Sequence, residues 1–306
     1  MKSALRRAAL IIALAAAIPS TLHANEPPRA LRVVTFNMFH GGASSGLVGD
    51  GEALEERLEM VREELRALAP DVIALQEASV GLGRGNVAAR LAEALGMTYV
   101  YAPATTRVFP IPVVNHVIVR LMNFAEGSAV LSRFPIVASE VYDLPRCAKR
   151  LDPRIMLRAD LRTPWGELAA FSTHVARDDC QIARVAEIVR AHAATRPAVV
   201  MGDFNASETM PAIAALDGDR GFVDAFRAAN PGAAGATVWQ RPWAPDPTAF
   251  RRVDYIFVAG AGAGVACASR VILDRPRRLA DGRTLWASDH YGVLADLRVF
   301  GIKCAP

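Results

Sequence analysis

What this sequence has little of excludes several classes of protein. Aromatic residues make up 7% of the chain, and the 22 glycines and 19 prolines are scattered, which excludes collagen-like and coiled-coil proteins. A formal charge of +4 with 52% hydrophobic residues excludes an intrinsically disordered chain. No stretch beyond the first 24 residues is long and apolar enough to cross a bilayer. The 306 residues are therefore expected to fold around a sizeable core.

The small positive charge does not identify a polyanionic partner. Lys2, Arg6 and Arg7 lie in the first 24 residues, which contain no acid, and the rest of the chain has 32 basic against 31 acidic residues. A balance this close to zero is weak support for nucleic-acid binding.

The first 24 residues have the layout of a secretory signal peptide. Basic residues precede an apolar run over 8–18, and small residues follow up to Ala24. The run is too short for a transmembrane helix, although an uncleaved anchor is the alternative. We therefore expect cleavage after Ala24, and a secreted or periplasmic monomer in which residues 25–306 form one domain.

The four cysteines are expected to pair in an oxidising compartment. Cys147 and Cys180 lie outside two apolar runs that are joined by the turn-like segment 163–166. If these runs form a hairpin, the two cysteines meet at its open end, which leaves Cys267 to pair with Cys304. Three connectivities are possible in principle, and four reduced, buried thiols are the alternative.

From Leu31 onward, short apolar runs alternate with amphipathic helices, which is typical of a layered α/β protein. Residues 54–68 keep a helical spacing of apolar side chains that ends at Pro70. Residues 86–95 read as a second helix closed by Gly96.

Polar side chains follow the apolar strands at the points where the strands end. They are Asn37, Glu77, His174, Asp203, Asn205, Asp289 and His290. A single such residue is usually a cap or a turn former, but together they predict one cleft at a shared edge of the sheets. Carboxylate and amide oxygens suit Mg²⁺ or Mn²⁺ and suit Zn²⁺ poorly. A hard cation, a carboxylate and a histidine are the groups needed for attack of water on phosphorus.

The same segments resemble the endonuclease/exonuclease/phosphatase superfamily, which includes deoxyribonucleases, repair nucleases, neutral sphingomyelinases and inositol polyphosphate 5-phosphatases. The matching motifs are Thr-Phe-Asn-Met at 35–38, Leu-Gln-Glu-Ala at 75–78, Thr-His at 173–174, Gly-Asp-Phe-Asn at 202–205, Arg-Val-Asp-Tyr-Ile at 252–256 and Ser-Asp-His at 288–290. The resemblance covers roughly residues 31–300. It implies a four-layer α/β/β/α sandwich, with two packed, mainly antiparallel sheets flanked by helices.

The resemblance also implies roles for the residues that match. Glu77 is implied as the principal metal carboxylate, helped by Asn37 and Asp289. His290 is implied as the general base or as a phosphate-orienting group, with its ring held by Asp254.

Three further matching residues would act on water and phosphate. Asp203 and Asn205 would position the attacking water and a phosphate oxygen. His174 would stabilise the phosphate charge or assist the leaving oxygen, and its presence argues against abasic-site repair. Arg158 and Arg252 are candidates to contact the phosphate, with a solvated arginine as the alternative for each.

These observations predict an exported phosphodiesterase that uses Mg²⁺ or Mn²⁺ and acts on nucleic acid or on a phospholipid head group. The alternatives are a phosphomonoesterase and a catalytically silent binding module of the same fold. Residues 108–124 are rich in apolar side chains. This segment is either buried against the core or exposed as a lobe that contacts a lipid surface.

Overall fold

The computed structural model describes residues 29–40, 45, 47, 52–147, 151–218, 221–239, 242–245, 248–260, 266–301 and 304. The predicted signal peptide, residues 1–24, lies outside these residues. The strands are β1 (Leu31–Asn37), β2 (Val72–Gly81), β3 (Gly85–Asn86), β4 (Thr98–Pro103), β5 (Ala125–Ser132), β6 (Ile136–Asp143), β7 (Ile155–Thr163), β8 (Gly166–His174), β9 (Ala198–Asp203), β10 (Phe222–Asp224), β11 (Asp254–Ala259), β12 (Ala266–Ile272), β13 (Arg277–Arg278), β14 (Thr284–Leu285) and β15 (Gly292–Leu297). The helices are α1 (Leu54–Leu68), α2 (Val87–Leu95), α3 (Pro112–Met122), α4 (Asp179–Ala193), α5 (Pro211–Gly218) and α6 (Ala225–Ala229).

Two large sheets form the centre of the molecule. The first has the strand order β12-β15-β1-β2-β5-β4 with β3 paired to β2, and the second has the order β10-β11-β9-β8-β7-β6. Within these sheets β1/β2 and β8/β9 are parallel, and the other pairs between described strands are antiparallel. The predicted pair of mainly antiparallel sheets is confirmed.

Alternation along the strands produces the four layers. On β1, Val33 faces the core between the two sheets, whereas Val34 and Phe36 face the layer that contains α1 and α2. The second sheet has a matching outer core with α4, which includes Phe171 and Val185. Each sheet therefore buries one face against the other sheet and one face against helices.

The predicted helix ends and disulfides are confirmed. Helix α1 ends at Leu68 before Pro70, and α2 is closed by Gly96 in the left-handed conformation that favours glycine. Strands β7 and β8 form the predicted hairpin. Disulfides join Cys147 to Cys180 and Cys267 to Cys304.

Helix α3 has the reverse of the usual polarity for a surface helix. Its one side chain in the buried class is Asn115, while Val113 and Leu121 are 64% and 70% exposed. The alternative that residues 108–124 are buried against the core is therefore wrong. None of the helices in the described segments is both long enough and apolar enough to cross a membrane.

A buried arginine on α1 holds together the loops that lead into the site described below. The guanidinium of Arg57 is 1% exposed and donates to the backbone carbonyls of Glu52, Met38, Phe39 and Ala287. Its charge is distributed over these carbonyl dipoles, which would otherwise lack donors.

Replacing Arg57 with methionine should lower the free energy of unfolding by about 2–4 kcal/mol, because several buried carbonyls lose their donor. Urea denaturation followed by circular dichroism measures the change. Arg62→Met is the matched control on the same helix. Among the described residues Arg62 forms an ion pair with Glu59, whose side chain is 37% exposed, so its loss should change stability by less than about 1 kcal/mol. Equal effects from the two substitutions would contradict the structural role of Arg57.

Candidate active site

The predicted polar residues meet where strands from both sheets end. In the first sheet Asn37 closes β1 and lies beside β2. In the second sheet His174 pairs with Asp203 across parallel strands, and Asp203 pairs with Asp254 across antiparallel strands. The cleft is therefore built jointly by the two sheets.

Glycine is required at one position of this edge. A Cβ atom on Gly202 would lie 2.0 Å from the carbonyl oxygen of Thr173, which no side chain tolerates. The close approach of β9 to β8 at Gly202 brings Asp203 level with His174.

Asn37 connects the carboxylates of the two sheets. Its Nδ2 donates to Glu77 Oε1 at 3.2 Å and to Asp203 Oδ2 at 3.1 Å, while its Oδ1 accepts from the amide of Phe39 at 3.0 Å. In this arrangement Asn37 bridges the two acids, and its oxygen is already used. Its predicted role as a metal ligand stays a prediction.

Glu77 lies at an irregularity in β2, between Leu75 and Ala78, with a φ of 53°. This left-handed backbone is uncommon outside glycine and turns the side chain into the cleft. Burial raises the pKa of Glu77, but His40, His174 and the hydrogen bonds from the His40 amide and Asn37 outweigh it and bring the pKa to about 2. Glu77 is therefore ionised at neutral pH.

Asp203 is surrounded by donors and is 1% exposed. Its Oδ1 accepts from the amide of Asn205 at 2.7 Å, and its Oδ2 faces Nε2 of His174 at 3.4 Å and Nε2 of His290 at 3.8 Å. Burial raises the pKa of Asp203 to about 7, with Asp254 adding to the rise and the charge on His290 opposing it. The carboxylate can therefore take up and release a proton near neutral pH.

His290 and Asp254 form a buried pair. Nδ1 of His290 lies 2.9 Å from Asp254 Oδ2, so the ring presents Nε2 to the cleft. Burial lowers the pKa of His290, but the carboxylates of Asp254 and Asp203 outweigh this effect and raise it to about 10. The other carboxylate oxygen, Asp254 Oδ1, is buried and has no hydrogen-bond partner among the described residues.

His174 and Asn205 flank Asp203 on the other side. Asn205 Nδ2 lies 3.1 Å from His174 Nε2 and donates to the carbonyl of Val175 at 3.0 Å. Burial and then the charge of Arg154 hold the pKa of His174 well below its usual value, so the ring is neutral. Asn205 has a φ of 50°, so it reaches Asp203 from a turn.

Asp289 lies near this cluster and accepts from Ser288 Oγ at 3.3 Å. Burial raises the pKa of Asp289 to about 6, and the charge of Glu77 adds to the rise against that of His290. Among the described residues, Asp203, Asp254 and His290 also present ligand atoms within 4.8 Å of one another. The site thus combines several crowded carboxylates, one of them with an unpartnered oxygen, which fits a hard divalent cation.

Three further residues of the site escape the strand-end pattern. His40 Nε2 lies 3.2 Å from Glu77 Oε2, and Glu126, Arg154 and His174 line one small cavity. Burial and the charge of Glu77 raise the pKa of Glu126 to about 7. A lone acid among small and apolar residues of β5 is the sequence signal that would have identified Glu126.

Arg158 and Arg252 lie outside the cleft. Arg158 Nη1 reaches Tyr142 Oη at 2.8 Å and Glu140 Oε2 at 2.9 Å. Arg252 is 4% exposed and pairs with Asp224 at 2.6 Å and Glu208 at 2.7 Å. Both guanidinium groups are used in ion pairs within the protein and neither is a solvated arginine, and their predicted contact with the phosphate stays a prediction.

The comparisons with known proteins agree with this geometry. A family model described as "Endonuclease/Exonuclease/phosphatase family" matches residues 34–290. The chain belongs to the endonuclease/exonuclease/phosphatase family. The family consists of phosphoester hydrolases that generally use divalent metal ions, and its motifs in this chain are the residues of the cleft. No curated protein matches the sequence.

Solved structures of the endonuclease/exonuclease/phosphatase fold are also similar to this chain. One from Beutenbergia cavernae is 26% identical, with a TM-score of 0.61, and the match covers 89% of this chain and 72% of that one. A mannosyl-6-phosphatase from Bacteroides thetaiotaomicron is 19% identical, with a TM-score of 0.67 and coverage of 88% and 100%. The human Nocturnin catalytic domain with bound sulfate is 21% identical, with a TM-score of 0.60 and coverage of 89% and 94%.

Proposed function

We propose that this member of the family is an exported phosphodiesterase that depends on Mg²⁺ or Mn²⁺ and acts on nucleic acid or on a phospholipid head group. The observation that carries the proposal is the bridge from Asn37 to both Glu77 and Asp203, with His290 facing the same Asp203 oxygen. Export is supported by two disulfides, which persist in oxidising compartments.

Glu77 and Asp289 are the residues that would hold the cation. Both are carboxylates, and their mutual repulsion would be relieved by a positive ion. Nδ1 of His290 and Oδ2 of Asp254 are used in their mutual hydrogen bond, which leaves Asp254 Oδ1, without a hydrogen-bond partner among the described residues, as a further oxygen for the cation. When bound, the ion would offset negative charge on the phosphate and lower the pKa of water.

The residues of the second sheet have complementary proton chemistry. The high pKa of His290 means that Nε2 donates a hydrogen bond to a phosphate oxygen, which favours orientation of the phosphate over the role of base. Asp203, with its pKa near 7, accepts the proton of the attacking water. Nε2 of neutral His174 accepts from Asn205 Nδ2, so the ring brings no charge to the phosphate and would donate to the leaving oxygen only in its other tautomer, with Asn205 released.

Hydrolysis of bis(p-nitrophenyl) phosphate by the purified protein tests this proposal. We expect turnover with Mg²⁺ or Mn²⁺, loss of turnover on addition of a chelator, and recovery when the metal is restored. The monoester p-nitrophenyl phosphate is the comparison substrate, because a structural neighbour is named as a phosphatase. Faster cleavage of the monoester would identify a phosphomonoesterase, and no cleavage of either ester would identify a silent binding module.

A further inference from the structure

Helix α3 and the loop before it present an aliphatic surface beside the active site. Successive residues of a helix are rotated by about 100° around its axis, so the outward-facing residues of α3 cover an arc of roughly 140°. These residues are Val113, Val114, Val117, Ile118 and Leu121, and each is at least 36% exposed. Phe109 and Ile111 in the preceding loop are 38% and 58% exposed.

This outward-facing apolar surface is held in place by a polar anchor. Asn115 is 2% exposed, and its side chain accepts from the amide of Phe109 at 2.8 Å and donates to the carbonyl of Phe109 at 2.8 Å. The polar residue of the helix therefore faces the protein and fixes the loop, while the apolar residues face outward. Burial of aliphatic side chains normally stabilises a helix, so this orientation is costly unless something covers the face.

The chemistry of the surface favours a lipid bilayer over a protein partner. Protein interfaces contain about one hydrogen bond per 100–200 Å² and depend on Trp, Tyr and Arg anchors. The five outward positions of α3 have only aliphatic side chains without hydrogen-bonding groups. Valine and leucine are under-represented among protein hot spots, but they suit the apolar face of an interfacial helix.

The charges around the surface are those expected for a membrane with anionic head groups. Residues 104–125 contain no acidic residue. Arg120 is exposed on α3, and exposed Arg146 donates to the carbonyl of Val108 at the base of the loop at 2.7 Å. Basic residues next to an interfacial helix are attracted to anionic lipids.

The surface lies close to the predicted metal carboxylate. Phe124, two residues after α3, packs edge-on against the His40 ring at a centroid distance of 5.2 Å. His40 in turn contacts Glu77 at 3.2 Å. A bilayer that covers α3 would therefore present its head groups next to the cleft.

We propose that α3 and residues 109–111 form a docking surface for a phospholipid bilayer, and that the active site hydrolyses a phosphodiester presented by that bilayer. The second part rests on the phosphodiesterase function proposed above, whereas the docking does not.

Vesicle flotation in the presence of chelator tests docking without catalysis. We expect the full chain to float with vesicles of phosphatidylcholine and phosphatidylglycerol. The double variant Val117→Glu/Leu121→Glu should lose at least about 10-fold in vesicle partitioning, because two aliphatic side chains that the bilayer would bury become charged. Val137→Glu is the matched control, because Val137 is 42% exposed but lies away from the docking surface. It is near the start of β6, whereas Asp143 at the end of β6 pairs with Arg107 just before the loop.

Two results would overturn the docking. The first is that the wild-type chain does not float with the vesicles, and the second is that the double variant floats as well as the wild type. If the wild type does not float, analytical ultracentrifugation would show whether it is a dimer. A wild-type dimer that the double variant does not form would show that a second copy of the chain covers the face.

Hydrolysis assays test the second part separately. On vesicles that contain phosphatidylglycerol together with sphingomyelin or phosphatidylcholine, the double variant should be about 10-fold or more slower than wild type, while both cleave soluble bis(p-nitrophenyl) phosphate equally. A wild type that cleaves the soluble diester and plasmid DNA but not vesicle lipid overturns the lipid substrate. A wild type that floats but cleaves no ester overturns the phosphodiesterase and leaves the docking standing.

Discussion

Replacing Asp203 with asparagine is expected to lower kcat on bis(p-nitrophenyl) phosphate on the order of 10²- to 10³-fold. Asparagine keeps the size of the side chain and can still accept from the amide of Asn205, but it cannot take a proton from water. The wild-type rate should rise with pH towards the pKa of about 7 that burial gives Asp203, because only the ionised form accepts the proton. The measurement is the pH profile of kcat/KM for both proteins, in which the variant should lack this rise.

Two controls separate this effect from unfolding and from other acids. Burial raises the pKa of Asp203, so its charge destabilises the fold above the ordinary pKa of an aspartate, and the destabilisation is complete above the raised pKa. Asp203→Asn should therefore melt at the same temperature as wild type or higher at pH 8. Glu126 also has a pKa raised to about 7. The Glu126→Gln variant should nevertheless keep the rise of kcat/KM with pH. If Glu126→Gln lost this rise and Asp203→Asn kept it, Asp203 would not be the group that accepts the proton.

The second large effect is expected from Glu77→Gln. Glu77 is ionised at neutral pH, and its neutral replacement removes the main charge that attracts a divalent cation. We expect Mn²⁺ affinity, measured by isothermal titration calorimetry, to fall on the order of 10- to 100-fold or more. Turnover at a fixed low metal concentration should fall on the order of 10²-fold, with partial recovery as Mn²⁺ is raised.

Glu187→Gln is the control for Glu77→Gln. Glu187 is 68% exposed on α4 and pairs with Arg184 of the same helix, so its loss should leave Mn²⁺ affinity and turnover unchanged. Mn²⁺ bound equally well by Glu77→Gln and wild type would show that the cation is held elsewhere, with the cluster of Asp203, Asp254 and His290 as the next candidate.

The layers and most of the cleft could be predicted from the sequence because they depend on local patterns. A short apolar run defines β1, and the 3.6-residue period of α1 stops before a proline that cannot continue a helix. The family motifs then fix which strand ends meet, and the structure brings Glu77, Asp203 and His290 together around Asn37 and Asp254.

The remaining features depend on contacts between segments that are distant in sequence. Arg158 alternates with apolar residues on β7, and alternation shows that it lies on one face of the strand but not which face points to the cleft. In the structure its side chain points towards α4 and Tyr142. His40 and Glu126 become site residues only because both lie near Glu77. For residues 108–124, composition cannot decide between core and surface, because exposure depends on what packs against α3.

The joint construction of the cleft has a consequence for thermal inactivation. Asn37 and Glu77 come from one sheet and Asp203 from the other, and Gln76 Nε2 also donates to Ser172 Oγ at 3.2 Å across the gap. Catalytic competence therefore ends as soon as the sheets part, even if each keeps its own strands paired. Residual activity during heating should follow the same sigmoid as tryptophan fluorescence, so a simple rate assay would report on the global cooperativity of this fold.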